Sequence, residues 1–86
     1  GYRQLCIALP IFAQNPQQLL TKELYPTVAR LCRCKDGRSV EHSIRKAIQA
    51  AWRHRDIAIW RKYFSVRDIC PTNKEFITRI AKHLEL

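Results

Sequence analysis

Residues 25–52 constrain the fold more than any other part of this 86-residue chain, because they contain two helical patterns separated by a short turn. In the second pattern, over residues 38–53, apolar positions recur with the period of one buried helix face. The residues expected to be buried are Val40, Ile44, Ala47, Ile48, Ala51 and Trp52. The turn covers residues 35–37, where Gly37 is free to adopt a positive φ. This arrangement predicts a helix-turn-helix.

Two helical patterns precede the turn. The first covers about residues 2–14, and its Pro10 predicts a kink or an early end, since proline cannot donate the helix hydrogen bond. The second covers about residues 18–32 and must bend or divide at the Tyr25-Pro26 step for the same reason. The buried faces expected for these helices consist of Leu5, Ala8, Leu9 and Phe12 in the first and Leu20, Leu24, Val28 and Leu31 in the second.

Two further helices are predicted after residue 53. Asp56 is placed to cap a short helix, and Thr72 with Glu75 forms a capping box at the start of the last one. The apolar faces of these helices are expected to contain Ile57, Trp60, Tyr63 and Phe64 in the short one and Phe76, Ile77, Ile80, Ala81 and Leu84 in the last one. Only residues 65–70 have extended character, which is too little for a sheet. The chain therefore predicts an all-α fold, one compact domain of about five helices.

The outward face of the 38–53 helix is mostly basic or amide in character. At 100° per residue, the positions opposite the apolar stripe are His42, Arg45, Gln49 and Arg53, flanked by Arg38, Ser39 and Lys46. A plainly solvated face mixes both signs of charge, whereas this face has a single acid, Glu41, at its flank. Basic and amide side chains hydrogen-bond base edges and phosphates, so the pattern favours contact with nucleic acid.

The charge balance points the same way. The chain has 16 Lys and Arg against 7 Asp and Glu, a formal net charge of +9. Such a balance favours polyanionic partners: nucleic acid first, and an anionic membrane surface as a weaker alternative. No apolar run approaches the roughly 20 residues of a membrane span. A further basic residue, Arg55, follows the helix and is suited to a phosphate contact.

Catalytic and metal-binding patterns are missing from the sequence. There is no Gly-rich phosphate loop, no metalloprotease motif and no nucleophile elbow, so an enzyme, a cofactor or a small-molecule substrate is not indicated. Cys32, Cys34 and a histidine would be the most plausible metal ligands. A single Cys-X-Cys without a second pair is not a zinc-finger spacing, however, so we expect the cysteines, which are Cys6, Cys32, Cys34 and Cys70, to be reduced thiols without metal.

Three motifs resemble one known family. Leu-Tyr-Pro at residues 24–26, the Val-Glu…Ile-Arg…Ala-Ile…Ala-Trp pattern over residues 40–52, and Pro-Thr-Asn-X-Glu-Phe-Ile at residues 71–77 are similar to the effector domain of the sporulation-initiation response regulators of endospore-forming bacteria. The resemblance implies an all-helical domain that binds a short DNA box, often as head-to-tail copies on tandem sites, in the bacterial cytoplasm at the nucleoid. Family members normally carry a preceding receiver domain and a further first effector helix. We therefore expect this chain to be a fragment of a longer regulator.

Two positions depart from the family's pattern. Where the family carries two base-reading arginines early in this helix, the aligned residues are Ser39 and His42. Glu41 and Arg45 match their counterparts. The turn before the helix is one residue longer, which places Arg38 where it can replace one lost arginine. The resemblance thus implies DNA binding with an altered preference for the family's box.

Together these observations predict sequence-specific binding of double-stranded DNA, with the 38–53 helix in the major groove. The base-reading residues are predicted to be Arg38, Ser39, Glu41, His42 and Arg45, on the outward face of the N-terminal half of the helix. The predicted phosphate contacts are Lys35, Lys46, Gln49, Arg53 and Arg55. The alternative is a helical protein-interaction module that has lost specific DNA readout. This alternative stays open because Ser39 and His42 replace two base-reading arginines of the family.

Overall fold

The computed structural model describes residues 2–64 and 69–84 and contains, within those ranges, five α-helices and no strand. The helices are α1 (Tyr2–Gln14), α2 (Tyr25–Cys32), α3 (Gly37–Arg53), α4 (Ile57–Tyr63) and α5 (Asn73–Leu84), and a π-helical turn (Leu20–Leu24) leads directly into α2. The predicted all-α bundle is thus confirmed. The extended stretch expected at residues 65–70 falls mostly outside the described residues. None of the described helices has the length and apolar composition needed to cross a bilayer.

The hydrophobic core lies between α1, α2, α3 and α5. Its largest fully buried side chains are Leu24, Ile44, Ile48, Ile77, Val28 and Val40. Leu5, Ala8 and Phe12 are contributed by α1, whereas α4 has no buried residue. The apolar face of α3 therefore packs against the rest of the bundle and turns its opposite face outward.

Pro10 does not end the first helix. α1 continues through it to Gln14, and the expected stripe is buried at Leu5, Ala8 and Phe12, with Leu9 only partly covered. The early end considered for this helix is therefore wrong. Proline removes the hydrogen bond to the carbonyl of Cys6, and both Pro10 and Cys6 lie on the exposed side, where water can bond that carbonyl instead.

The expected division at the Tyr25-Pro26 step is confirmed by a change of helix type. The backbone N–H groups of Glu23 and Leu24 both donate to the Leu19 carbonyl at 3.0 Å, and α2 begins at Tyr25 with Pro26 in its first turn. The expected burial of Leu31 is wrong, since this side chain is 58% exposed. At 100° per residue, Leu31 lies about 110° away from the centre of the buried face of α2, which consists of Tyr25, Val28 and Ala29.

The positive φ of the turn lies at Arg33 and not at Gly37. Arg33 ends α2 in the left-handed region, with φ 55° and ψ 38°, and the N–H of Cys34 donates to the Ala29 carbonyl at 2.8 Å. The expectation for Gly37 is wrong, because Gly37 is the first residue of α3 and its φ is not positive. A Cβ atom there would lie 3.2 Å from the Tyr25 Cβ atom, so glycine lets α3 approach α2 closely.

Two expected burials at helix ends are also wrong. Ala51 in α3 is exposed, and Leu84 in α5 is 46% exposed, although both lie on the apolar stripes of their helices. Both belong to the last turn of a helix, where the described elements leave that side of the stripe uncovered. The same stripes are buried one or two turns earlier, at Ile48 in α3 and at Ile77 and Ala81 in α5.

Side-chain caps start the last three helices. Asp36 accepts from the Ser39 N–H at 2.9 Å at the start of α3, a cap that the sequence pattern had not indicated. Asp56 caps α4 as expected, accepting from the N–H groups of Ala58 at 3.0 Å and Ile59 at 3.3 Å. The predicted capping box of α5 is confirmed: Glu75 N–H donates to Thr72 Oγ1 at 3.1 Å, and Thr72 N–H donates to Glu75 Oε1 at 3.3 Å.

Thr72→Ala is expected to lower the free energy of unfolding by about 0.5–2 kcal/mol, because it removes the acceptor for a helix N–H. Thr72→Ser keeps the hydroxyl and is expected to retain most of that stability. Thr78→Ala, at an exposed position within α5, controls for loss of a threonine from the same helix. Urea denaturation of the variants measures the difference. Equal stability of Thr72→Ala and the unmodified chain would show that the cap is not stabilising.

Candidate nucleic-acid interface

The structure brings the polar side chains of α3 together on one outward face. Its exposed residues include Arg38, His42, Arg45, Lys46, Gln49 and Arg53, while Ser39 and Glu41 are partly exposed. Val40, Ile44 and Ile48 fix the rotation of the helix by burying the opposite face completely. The predicted face is therefore accessible over the whole length of the helix, and the turn between α2 and α3 presents it away from the core.

An ion pair joins two of the predicted base-reading residues. Arg45 Nη2 donates to Glu41 Oε1 at 3.0 Å, and the two side chains are 54% and 34% exposed. Helix pairs at this spacing contribute only about 0.3–0.5 kcal/mol when exposed. Contact with base edges can therefore replace this pair at small cost.

The N-terminus of α3 carries its own negative charge. The hydrogen bond from the Ser39 N–H is the main cause that lowers the pKa of Asp36, followed by the hydrogen bond of the Ser39 side chain, and the charges of Lys35 and Arg38 lower it further. This carboxylate is thus ionised at neutral pH and occupies one of the N–H groups that a phosphate oxygen would otherwise use. Lys35, which is exposed, offers a side-chain contact for phosphate at this end.

Arg55, the predicted phosphate contact beyond α3, lies against Trp52. Its guanidinium carbon is 3.7 Å from the centroid of the Trp52 ring, and its Nη1 donates to the Trp52 carbonyl at 2.9 Å. The Trp52 ring also meets Trp60 edge-on at a centroid distance of 5.7 Å, and Trp60 stacks on Phe64 at 5.1 Å. Both tryptophans pack against other aromatic side chains but are only partly buried, so the expected core position of Trp52 and Trp60 is not reached. A phosphate contact by Arg55 would use a guanidinium that already holds the end of α3.

Asn73 hydrogen-bonds the backbone of α3 and a side chain of α2, a role that the sequence pattern did not indicate. Its Nδ2 atom donates to the Tyr25 hydroxyl at 3.2 Å and to the Glu41 carbonyl at 3.0 Å. Tyr25 is only 3% exposed, and this burial is the main cause that raises its pKa, with the Asn73 hydrogen bond acting in the opposite direction. No local pattern in the sequence indicates this role, because the partners are 48 and 32 residues away.

A groove of about 1310 Å³ runs beside α3 and was not predicted. Glu41, Arg45 and Gln49 form one side of it, and the π-helical turn and α5 form others. Its charged lining residues are Lys22, Glu41, Arg45, Lys74 and Lys82. Since only one of these is acidic, the flank of the outward face is basic, and a phosphate backbone beside α3 would meet positive charge there.

The described residues contain no group of three or more His, Cys, Asp or Glu side chains that could hold a metal ion. Cys6 is exposed, and Cys32, Cys34 and Cys70 are partly buried thiols. Burial raises the pKa of the Cys70 thiol, which disfavours the thiolate that a metal requires. The absence of metal from the protein in solution stays a prediction.

The sequence matches one known protein family over almost its full length. The family is described as the sporulation initiation factor Spo0A C terminal, and the match covers residues 1–84 of the 86. It includes the turn, the whole of α3 and the capping motif of α5, which are the segments that carried the resemblance in the sequence.

Proposed function

Because the chain belongs to the family of C-terminal, DNA-binding effector domains of the sporulation initiation factor Spo0A, we propose that it binds double-stranded DNA sequence-specifically with α3 in the major groove. In this proposal it is one domain of a longer bacterial transcription regulator and acts at the nucleoid. The family is one of regulators and not of enzymes. We also propose that copies bind tandem sites head to tail, as the family resemblance implies.

The observation that carries the proposal is the outward face of α3. A helix that follows a short helix and a tight turn, with its apolar side packed on the core, presents its N-terminal half to base edges in helix-turn-helix proteins. Here that half carries Arg38, Ser39, Glu41, His42 and Arg45, all at least partly exposed. An arginine can donate two hydrogen bonds to guanine, and a glutamate can accept one from cytosine.

Phosphate contacts are assigned to the basic and amide side chains around these residues. Lys46, Gln49 and Arg53 follow the face toward the C-terminal end of α3, and Lys35 precedes it. Arg55 completes the set with a guanidinium held on Trp52. Lys22 and Lys74, which line the neighbouring groove, extend the basic surface to one flank. Such contacts position the protein without reading sequence.

Titration of a random duplex at two salt concentrations tests the proposal. We expect binding in the micromolar range or tighter that weakens steeply with salt, by about 0.9 log units per phosphate neutralised. Arg53→Gln should reduce that slope by about one, whereas Arg3→Gln, the same substitution at an exposed position of α1, should leave it unchanged. Binding without salt dependence, or none at all, would favour the protein-interaction module instead.

A further inference from the structure

The contacts of Asn73 join the start of α5 to two consecutive helices, α2 and α3, that are far from it in sequence. The hydrogen bond to Tyr25 spans 48 residues and the one to Glu41 spans 32, so a single side-chain amide at the start of α5 reaches both helices of the helix-turn-helix. The Glu41 carbonyl belongs to the backbone of α3, and a carbonyl oxygen has two lone pairs, so it can accept from Asn73 as well as within the helix.

Asn73 is itself held in place. It is the first residue of α5, and the mutual hydrogen bonds of Thr72 and Glu75 fix the backbone on either side of it. Tyr25 is buried and sits where α2 begins, and its Cβ atom lies against Gly37 at the start of α3. The amide of Asn73 therefore connects the capped start of α5 to α2 and α3, and the placement of these two helices sets the outward face of α3.

We infer that Asn73 is a positioning residue for sequence readout, which sets the placement of the N-terminal half of α3 against α2. Its acceptor on α3 is the backbone of Glu41, a predicted base-reading residue, directly before His42 and one turn before Arg45. Bidentate contacts with base edges need their side chains held within about 0.5 Å of the productive geometry. Phosphate contacts from long flexible side chains tolerate larger displacements, so loss of Asn73 should affect discrimination more than general affinity.

The inference deepens the proposed function, and its DNA measurement depends on that function. Asn73→Ala and the isosteric Asn73→Asp, which lacks the donor, are compared with the unmodified chain on two duplexes: a site selected from a random pool and a random duplex. The ratio of the two affinities is expected to fall about threefold to tenfold, the value of one hydrogen bond, with the salt slope unchanged. Tyr25→Phe should change the ratio in the same direction by less.

A matched destabilised variant separates positioning from stability. Ile77→Val removes a buried methyl group from the same helix without touching the amide, so it should lower the melting temperature and leave the affinity ratio unchanged. An equal loss of discrimination in Ile77→Val would overturn the inference. So would a parallel loss of affinity for both duplexes in the Asn73 variants, or an unchanged ratio.

Backbone amide signals measured by NMR on the free domain provide a readout that does not depend on DNA. Asn73→Ala is expected to shift the signals of residues 41–45 and to speed their hydrogen exchange, while Ile77→Val leaves these signals in place. Unchanged signals at residues 41–45 in Asn73→Ala would overturn the positioning contact itself. If the unmodified chain binds no duplex, the proposed function fails, and this measurement still decides whether Asn73 places α3.

Discussion

Arg45→Ala is expected to weaken binding to a selected DNA site by about 1–3 kcal/mol, equivalent to roughly 5-fold to 150-fold in the dissociation constant. Arg45 lies on the outward face of α3, and the family resemblance implies that it occupies a base-reading position. Its guanidinium bonds Glu41 through an exposed ion pair that contributes little to stability. The substitution should therefore change binding much more than the melting temperature.

Arg45→Lys tests whether the side chain reads bases or merely contacts phosphate. Lysine keeps the charge but lacks the planar fork that donates two parallel hydrogen bonds. If Arg45 reads a base, Arg45→Lys should retain most of the affinity for a random duplex and lose much of the affinity for the selected site. Comparable losses on both duplexes would assign Arg45 to the phosphate backbone, and unchanged affinity of Arg45→Ala for the selected site would show that the base-reading assignment is mistaken.

The features that the sequence predicted correctly depend on interactions between near neighbours in the chain. The caps by Asp56 and Thr72 involve groups no more than three residues apart, so residue type and spacing were enough to place the starts of α4 and α5. The same holds for the division at Pro26, which follows from a missing N–H group. The buried stripe of α3 was also predictable in its central part, where Ile44 and Ile48 face the middle of the bundle.

The features that were missed depend on which elements meet in space. Gly37 was expected to provide the bend of the turn, but its role is to allow contact with Tyr25, 12 residues earlier, while Arg33 adopts the positive φ. Leu31 fits the apolar period, yet the helix it belongs to begins only at Tyr25 and rotates it toward solvent. Asn73 acts through partners 32 and 48 residues away, which no local pattern reveals.

The candidate interface shows the same division between local and spatial information. Periodicity alone placed Arg45 and Gln49 on one accessible face. It did not reveal that Arg55 lies on Trp52 or that Lys22 and Lys74 line a groove along the flank of α3. The groove follows from the packing of segments distant in sequence, whereas Arg55 and Trp52 are near neighbours that meet where α3 ends. The DNA contacts of the individual residues on this face stay predictions.

The double substitution Ser39→Arg with His42→Arg is expected to increase affinity for the family's DNA box. Each bidentate arginine–guanine pair contributes about 1–3 kcal/mol of discrimination, so restoring two could strengthen binding to that box by about 2–6 kcal/mol. His42 is exposed and Ser39 partly exposed, so α3 has room for both longer side chains. The backbone part of the helix cap should survive, because Asp36 accepts from the N–H of residue 39, whereas the hydrogen bond of the Ser39 side chain to this carboxylate is lost.

The matched control is Ser39→Lys with His42→Lys, which adds the same two charges without the planar fork. Both double variants gain positive charge, so both should bind any DNA more tightly. Dividing the affinity for the family's box by the affinity for a random duplex removes this general increase. Only the arginine variant is expected to gain in this ratio, because lysine donates as a point charge. An equal gain in both variants would mean that charge and not base readout limits binding. Tight binding of the family's box by the unmodified chain would show that Arg38, Glu41 and Arg45 already suffice, so that the loss of the two arginines has no effect on target choice.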